Sequence, residues 1–219
     1  MQAPQGSLGG RLITFEGIDF SGKSLQAKLL SEKLCSVGCS VLQLRDPGAT
    51  PISERIRSIL LDKAHLEMSP WTELLLYEAA RAQMVEQTIK PALKKGEWVI
   101  CDRLYDSSTA YQGYGRQLDL GLVEQANIIG ACGVVPDLTF LIDLDVRVAL
   151  QRRQKSKRNV DRLESEGIQF QERVRQGYLE TAKEELDRIH VIAGDRSVDR
   201  IHEEIWQIVN KRFQRELHS

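Results

Sequence analysis

The chain has 219 residues, 42% apolar and 28% charged, a globular balance suited to filling one medium-sized core. A formal net charge of −1 excludes a global field that would draw in nucleic acid or an anionic membrane. No apolar run approaches the roughly 20 residues needed to span a bilayer, so neither nucleic acid nor membrane is an expected partner.

Residues 1–10 carry neither the positive nor the apolar region of a signal sequence and read as a loose leader. Residues 11–215 read as a single domain. An apolar strand at 12–15 meets glycine, a helix spans 24–37, and Gly38 stops it. A strand at 41–44 ends in the turn Asp46-Pro47-Gly48, and a helix covers 51–61. Ser69 as N-cap and Pro70 as first residue open the longest helix. Its apolar positions Leu75, Ala79, Ala82, Val85, Ile89 and Leu93 predict one buried stripe, and Pro91 predicts a weakened last turn. Next come a strand at 98–101, one or two helices over 107–131, a strand at 138–142 and a helix from 146 into a basic stretch. Helix 168–186, strand 189–192 and helix 198–215 complete the chain. Five strands separated by helices predict an α/β fold, a parallel sheet with helices on both faces, whose ligands sit beyond the carboxyl ends of the strands.

Cys35, Cys39, Cys101 and Cys132 lack the paired spacing of a zinc site, so a reduced, cytoplasmic setting is expected. Gly17-Ile18-Asp19-Phe20-Ser21-Gly22-Lys23-Ser24 satisfies G-x-x-x-x-G-K-[ST] between a strand and a helix, the P-loop arrangement. Its glycines let the backbone wrap an anion, amide N–H groups and the helix N-terminus face phosphates, Lys23 adds a point charge, and the Ser24 hydroxyl suits Mg²⁺. Asp102-Arg103 closes a strand on the same sheet edge. Asp102 could hold Mg²⁺ or its water shell, and Arg103 could grip a second phosphate. A guanine-reading Asn-Lys-x-Asp is missing: Asn210-Lys211 is followed by Arg212-Phe213.

Glu16-Gly17-Ile18-Asp19, Arg45-Asp46-Pro47-Gly48-Ala49-Thr50, Glu54-Arg55-Ile56-Arg57, Ala79-Ala80-Arg81, the run from Asp102-Arg103 through Ser107-Ser108 to Tyr111-Gln112-Gly113, and Asp161-Arg162-Leu163-Glu164 together resemble the ordered signatures of the thymidylate kinase family, over about residues 11–215. The resemblance implies a P-loop NTPase fold with a short basic lid at about 152–166. It implies ATP-dependent phosphorylation of dTMP to dTDP with Mg²⁺, in a homodimer. Carried onto this chain, Arg57 and Arg103 hold the acceptor phosphate, Tyr77 stacks on thymine, and Arg81 donates to its O4. Ser108 and Gln112 meet the base edge, and Asp19 meets the sugar 3′-hydroxyl.

Tyr77 and Arg81, four apart, share a helix face offset from the Leu75/Ala79 stripe, so both are expected to point away from the core. On this reading Arg81→Ala mainly raises KM for dTMP. The acceptor is already anionic, so no general base is required, and catalysis rests on an array of cations. Ile18, Asp19, Phe20 and Ser21 contain no basic residue, so the cation over the transferring group is expected from the lid at 152–162. Arg158 is the first candidate, with Arg153 or Arg162 as alternatives. Phe20, Asp46, Ala49 and Leu104 depart from the family pattern without removing a cation. Two rivals stay open: a kinase of another nucleotide or nucleoside, and a P-loop regulator without catalysis.

Overall fold

The structure, a computed structural model, describes residues 9–156 and 161–217. A five-stranded, wholly parallel sheet has the order β2-β3-β1-β4-β5, with β1 (Arg11–Glu16), β2 (Val41–Arg45), β3 (Trp98–Asp102), β4 (Leu138–Asp143) and β5 (Ile189–Ala193). β1 lies at the centre, with Thr14 opposite Cys101 of β3 and Thr139 of β4.

Side chains alternate across the strands, so the sheet builds two cores. Ile13, Phe15, Ile100 and Phe140 pack against α1 (Lys23–Ser36) and α9 (Val198–Arg212) through Leu30, Leu34, Ile201 and Ile205. On the other face, Leu12, Val99 and Cys101 meet Met84, Val85, Ile89 and Leu93. Leu141 and Ile189 meet Val174, Tyr178 and Ala182 of α8 (Ile168–Glu184). The short α10 (Gln214–Leu217) seals one end with Leu217.

Ser69-Pro70 opens its helix as expected, and Thr50-Pro51 works in the same way. Thr50 Oγ1 accepts from Ser53 N at the start of α2 (Pro51–Leu61), and Ser69 caps α3 (Pro70–Met84) through Thr72 N, each followed by proline. Ahead of Pro91, which has no N–H to donate, the chain widens into a π-helical turn at Val85–Ile89 before α4 (Lys90–Lys94). Asp119 and Asp145 cap α6 (Leu120–Ala131) and α7 (Val146–Lys155). α5 (Tyr105–Ser108) runs into a second π-helical segment, Thr109–Gly115.

One expectation fails on α3. Val85, Ile89 and Leu93 are buried, but Leu75 is 61% exposed and Ala79 is exposed, while Leu74, Glu78 and Arg81 face inward. The inward face of α3 thus runs one residue out of phase with the predicted stripe. The wide π turn takes up an extra residue, so one helical period cannot describe both halves. Arg81, expected to point away from the core, is 1% exposed. Its charge is tolerated inside because carboxylates surround it.

The predicted leader falls largely on residues 1–8, outside the described residues. Gly10 belongs to the fold: its N–H donates to Leu93 O, and a Cβ there would lie 2.2 Å from Glu97 O.

Candidate active site

The carboxyl ends of β1, β2 and β3 open into one cavity of about 600 Å³. On the donor side, the turn after β1 passes so close to β4 that a Cβ on Gly17 would sit 2.5 Å from Ile142 O. Gly22 (φ 103) meets no such obstacle, and its requirement is the left-handed backbone that opens α1. No side chain caps α1, which leaves the anion-binding end of the helix facing the cavity. Phe20 also adopts positive φ (63°), with its ring against the Leu141–Val146 core. Arg152 of α7 ties this loop down, donating from Nη1 to Phe20 O (3.3 Å) and Ser21 O (3.1 Å), and from Nη2 to Gly194 O (2.9 Å).

Lys23 Nζ lies 3.5 Å from Asp19 Oδ1. Burial and then the charge of Arg103 pull the Lys23 pKa below its ordinary value. Burial alone would raise the Asp19 carboxyl. The charges of Arg103 and Lys23, with hydrogen bonds from Arg103 and Tyr111, outweigh it and hold Asp19 well below the usual carboxylate range.

Arg103 follows β3 in the left-handed region (φ 73) and projects its guanidinium toward the P-loop. Nη1 donates to Gly17 O (3.0 Å), Ser107 Oγ (3.2 Å) and Tyr178 OH (2.8 Å). Nη2 donates to Asp19 Oδ1 (2.7 Å) and Tyr111 OH (3.0 Å), and Tyr111 OH donates to Asp19 Oδ2 (3.1 Å). Behind them, Glu16 is fully buried, and burial followed by the nearby Asp106 charge pushes its carboxyl up to about 7. Arg188 grips Asp106 with both Nη atoms, at 2.7 and 2.9 Å.

A narrower recess continues from the arginines. Arg81 Nε donates to Asp46 Oδ2 (2.6 Å), Nη1 to Glu78 Oε1 (2.5 Å) and Nη2 to Ser108 Oγ (3.1 Å). Burial raises both the Asp46 and the Glu78 carboxyl despite Arg81, and one oxygen of each lacks a partner. Gln112 Nε2 donates to Glu73 Oε1 (2.8 Å), which turns its amide oxygen the other way. Tyr77 is half-buried beside it, and Arg57 enters from α2 with Nη1 on Pro47 O (2.9 Å).

The cavity is lined by Asp19, Phe20, Ser21, Gly22, Lys23, Ser24, Arg57, Tyr77, Arg81, Asp102, Arg103, Ser108 and Gln112. Gly17 and Ile18 lie behind the loop. Arg153 stands outside, bonded to Glu164 O across a small separate hollow, and Arg152 lines the cavity instead. Arg162 is committed to Glu73 (2.7 Å) and Leu60 O (2.9 Å). Arg158 lies outside the described residues. Tyr111 and Tyr178, whose hydroxyls accept from Arg103, are residues of the site that sequence reasoning misses. Tyr111 sits inside a motif noted above, but Tyr178 lies on a distant amphipathic helix with no local signal.

A phosphate cradle at the end of the central strand, facing Arg103 at the end of its neighbour and Arg57 and Arg81 from two helices across one shared cavity, defines a P-loop phosphotransferase. The family profile described as Thymidylate kinase matches residues 15–205. The thymidylate kinase of Pelotomaculum thermopropionicum is 50% identical over 193 residues, covering 88% of this chain and 89% of that protein. That of Thermoanaerobacter sp. is 44% identical over 202 residues, covering 92% and 98%. The crystal structure of thymidylate kinase from Ehrlichia chaffeensis superposes with a TM-score of 0.76 at 35% identity, covering 92% of this chain and 99% of that one. The chain belongs to the thymidylate kinase family.

Proposed function

We propose that this chain passes the γ-phosphoryl group of ATP in line to the phosphate of dTMP, with the P-loop holding the donor and Arg57 and Arg103 holding the acceptor phosphate. ATP-dependent conversion of dTMP to dTDP is the reaction of the family to which it belongs. The observation that carries the assignment of roles is the single cavity in which the cradle and Arg103 meet at adjacent strand ends.

The acceptor oxygen is already anionic, so the work of the site is to align two polyanions and spread the charge of the transferring group. Lys23 meets the donor phosphates. Asp19 accepts from the sugar 3′-hydroxyl, a role suited to a carboxylate kept ionised by Arg103. Tyr77 stacks on the base, Arg81 donates to thymine O4, and Ser108 and Gln112 read its edge. A C4 amino group, as on cytosine, would set donor against donor at Arg81.

Mg²⁺ fits the residues present. Ser24 and Asp102 offer hard oxygen donors, and Asp102 Oδ1 is buried without a hydrogen-bond partner. Held by Ser24 and Asp102, Mg²⁺ would supply positive charge to offset that of the donor phosphates.

Domain limits of 11–215, with a lid at about 152–166 closing on the transferring group, belong to the same proposal. Arg158 is the first candidate for the lid cation, followed by Arg153, and such a residue contributes on the order of 10³–10⁵ in rate. A homodimer is supported by the apolar surface where α3 and α6 lie together, with Leu75 61%, Ile128 63% and Ile129 73% exposed. Four free thiols suit a cytoplasmic setting.

A coupled assay of ADP release with dTMP, dUMP, dCMP and thymidine tests the proposal. Release that depends on dTMP and is greatest with it is expected. Release indifferent to the acceptor, or fastest with thymidine, refutes it.

A further inference from the structure

Glu16 ends β1 beneath the site, with no exposed surface, so it cannot touch either nucleotide. Its contacts nevertheless converge on one residue. Oε1 accepts from Leu104 N (2.7 Å), the amide that follows the left-handed Arg103. Oε2 accepts from Ser107 Oγ (2.6 Å) and Tyr178 OH (2.9 Å). Those two hydroxyls are the ones that receive Arg103 Nη1, at 3.2 and 2.8 Å. An ionised carboxylate only accepts, whereas a hydroxyl has one proton and two lone pairs. Ser107 Oγ and Tyr178 OH also lie 2.8 Å apart, so one proton can bridge them while another goes to Glu16; because the carboxylate only accepts, a lone pair on each hydroxyl stays turned toward the guanidinium. The same carboxylate therefore holds the strained backbone of Arg103 through one oxygen and aims its side chain through the other.

We infer that Glu16 is the positioning residue for the acceptor-phosphate arginine, acting on dTMP binding through Ser107, Tyr178 and the Leu104 amide. This rests on the proposed role of Arg103. A residue with this duty affects one substrate and not the other, which separates it from a carboxylate that only stabilises the fold.

The test is a double-mutant cycle of Glu16→Gln and Arg103→Ala, read as KM for dTMP and for ATP at pH 8, with melting temperature recorded for each protein. The amide preserves shape but offers a donor where the hydroxyls need an acceptor. Glu16→Gln is expected to raise KM for dTMP about 10-fold and to change KM for ATP by less than about twofold. In the Arg103→Ala background the same substitution is expected to add less than about twofold, since its route is already cut.

If Arg103→Ala raises KM for dTMP but Glu16→Gln does not, the inference about Glu16 fails alone. Equal increases in both KM values, or an undiminished effect of Glu16→Gln in the Arg103→Ala background, also overturn it. If Arg103→Ala leaves KM for dTMP unchanged, the acceptor role of Arg103 is wrong and the inference goes with it. Should Glu16→Gln fail to fold, Tyr178→Phe severs one arm of the relay with the carboxylate in place. It is read by the same two criteria, with an expected rise of about threefold in KM for dTMP.

Discussion

Replacing Arg81 with alanine is expected to damage the fold as much as the binding of dTMP. Its guanidinium lies between Asp46 and Glu78, with Ser108 on the remaining side, and all four residues are buried. Removing the cation leaves two buried carboxyls without the counter-charge that lay between them. Breaking a buried pair by deleting one partner costs about 3–5 kcal/mol. For a chain of 150–250 residues each kcal/mol moves Tm by roughly 2–4 °C, so a loss of about 10 °C is expected at pH 8. Burial already raises both carboxyls, and without Arg81 they should take up protons more readily, so the loss should shrink at pH 5. Adding Asp46→Asn and Glu78→Gln to the alanine variant should restore about half of the lost Tm by removing the stranded charges, while KM for dTMP stays high. Thermal melts at pH 5 and 8, with dTMP kinetics on the same preparations, make the measurement. An Arg81→Ala protein melting within about 2 °C of the parent at pH 8 would refute the buried-clamp reasoning.

Arg158→Ala should lower kcat by about 10³ or more with both KM values changed only a few-fold, as steady-state kinetics will report. Wild-type turnover would move the lid role to Arg153 or Arg162, either of which would have to leave its present partners, Glu164 O or Glu73 and Leu60 O. Ala49 is exposed and sits at φ 68, so Ala49→Gly should relieve about 1 kcal/mol of backbone strain and raise Tm by about 3 °C; an unchanged or lower Tm contradicts this. Glu16 is held at about 7 against 4.5 in the unfolded chain, so its neutral form favours the native state. That contribution, about 3 kcal/mol, is fully present below pH 4.5 and is lost as pH rises through about 7. The stability of the parent relative to Glu16→Gln should therefore fall between pH 4.5 and pH 8 in denaturant titrations, and a difference that is flat or rises with pH contradicts the assignment.

Much of the site can be read from the chain because its parts lie at strand ends marked by glycine, aspartate or arginine. The P-loop, Asp102-Arg103 and the caps at Thr50 and Ser69 depend on local chemistry, and local chemistry is visible in sequence. The face of α3 is not. Leu75 and Ala79 resemble core positions because they are apolar, and Glu78 and Arg81 resemble surface positions because they are charged. Their burial is tolerable because they pair with each other and with Asp46 and Ser108, both more than 25 residues away in the chain. The π turns at 85–89 and 109–115 are equally hidden, since they shift phase without changing composition. Tyr178 escapes notice because its place comes from hydrogen bonds that carry its hydroxyl from α8 to Glu16 of β1 and Ser107 of α5, which no short window contains.

The placement of Arg103 one strand away from the P-loop has a mechanical consequence. Neighbouring strands in a ladder stand about 4.8 Å apart, and that interval yields far less than a hinge or a loop does. On the proposed roles, the berths for the two nucleotides would be anchored to that ladder, and a closing lid would have only to shield and neutralise what the sheet had already gauged. Agitation that frays the outer helices would leave the gap between the reactants nearly as it was, until the ladder between β1 and β3 itself comes apart.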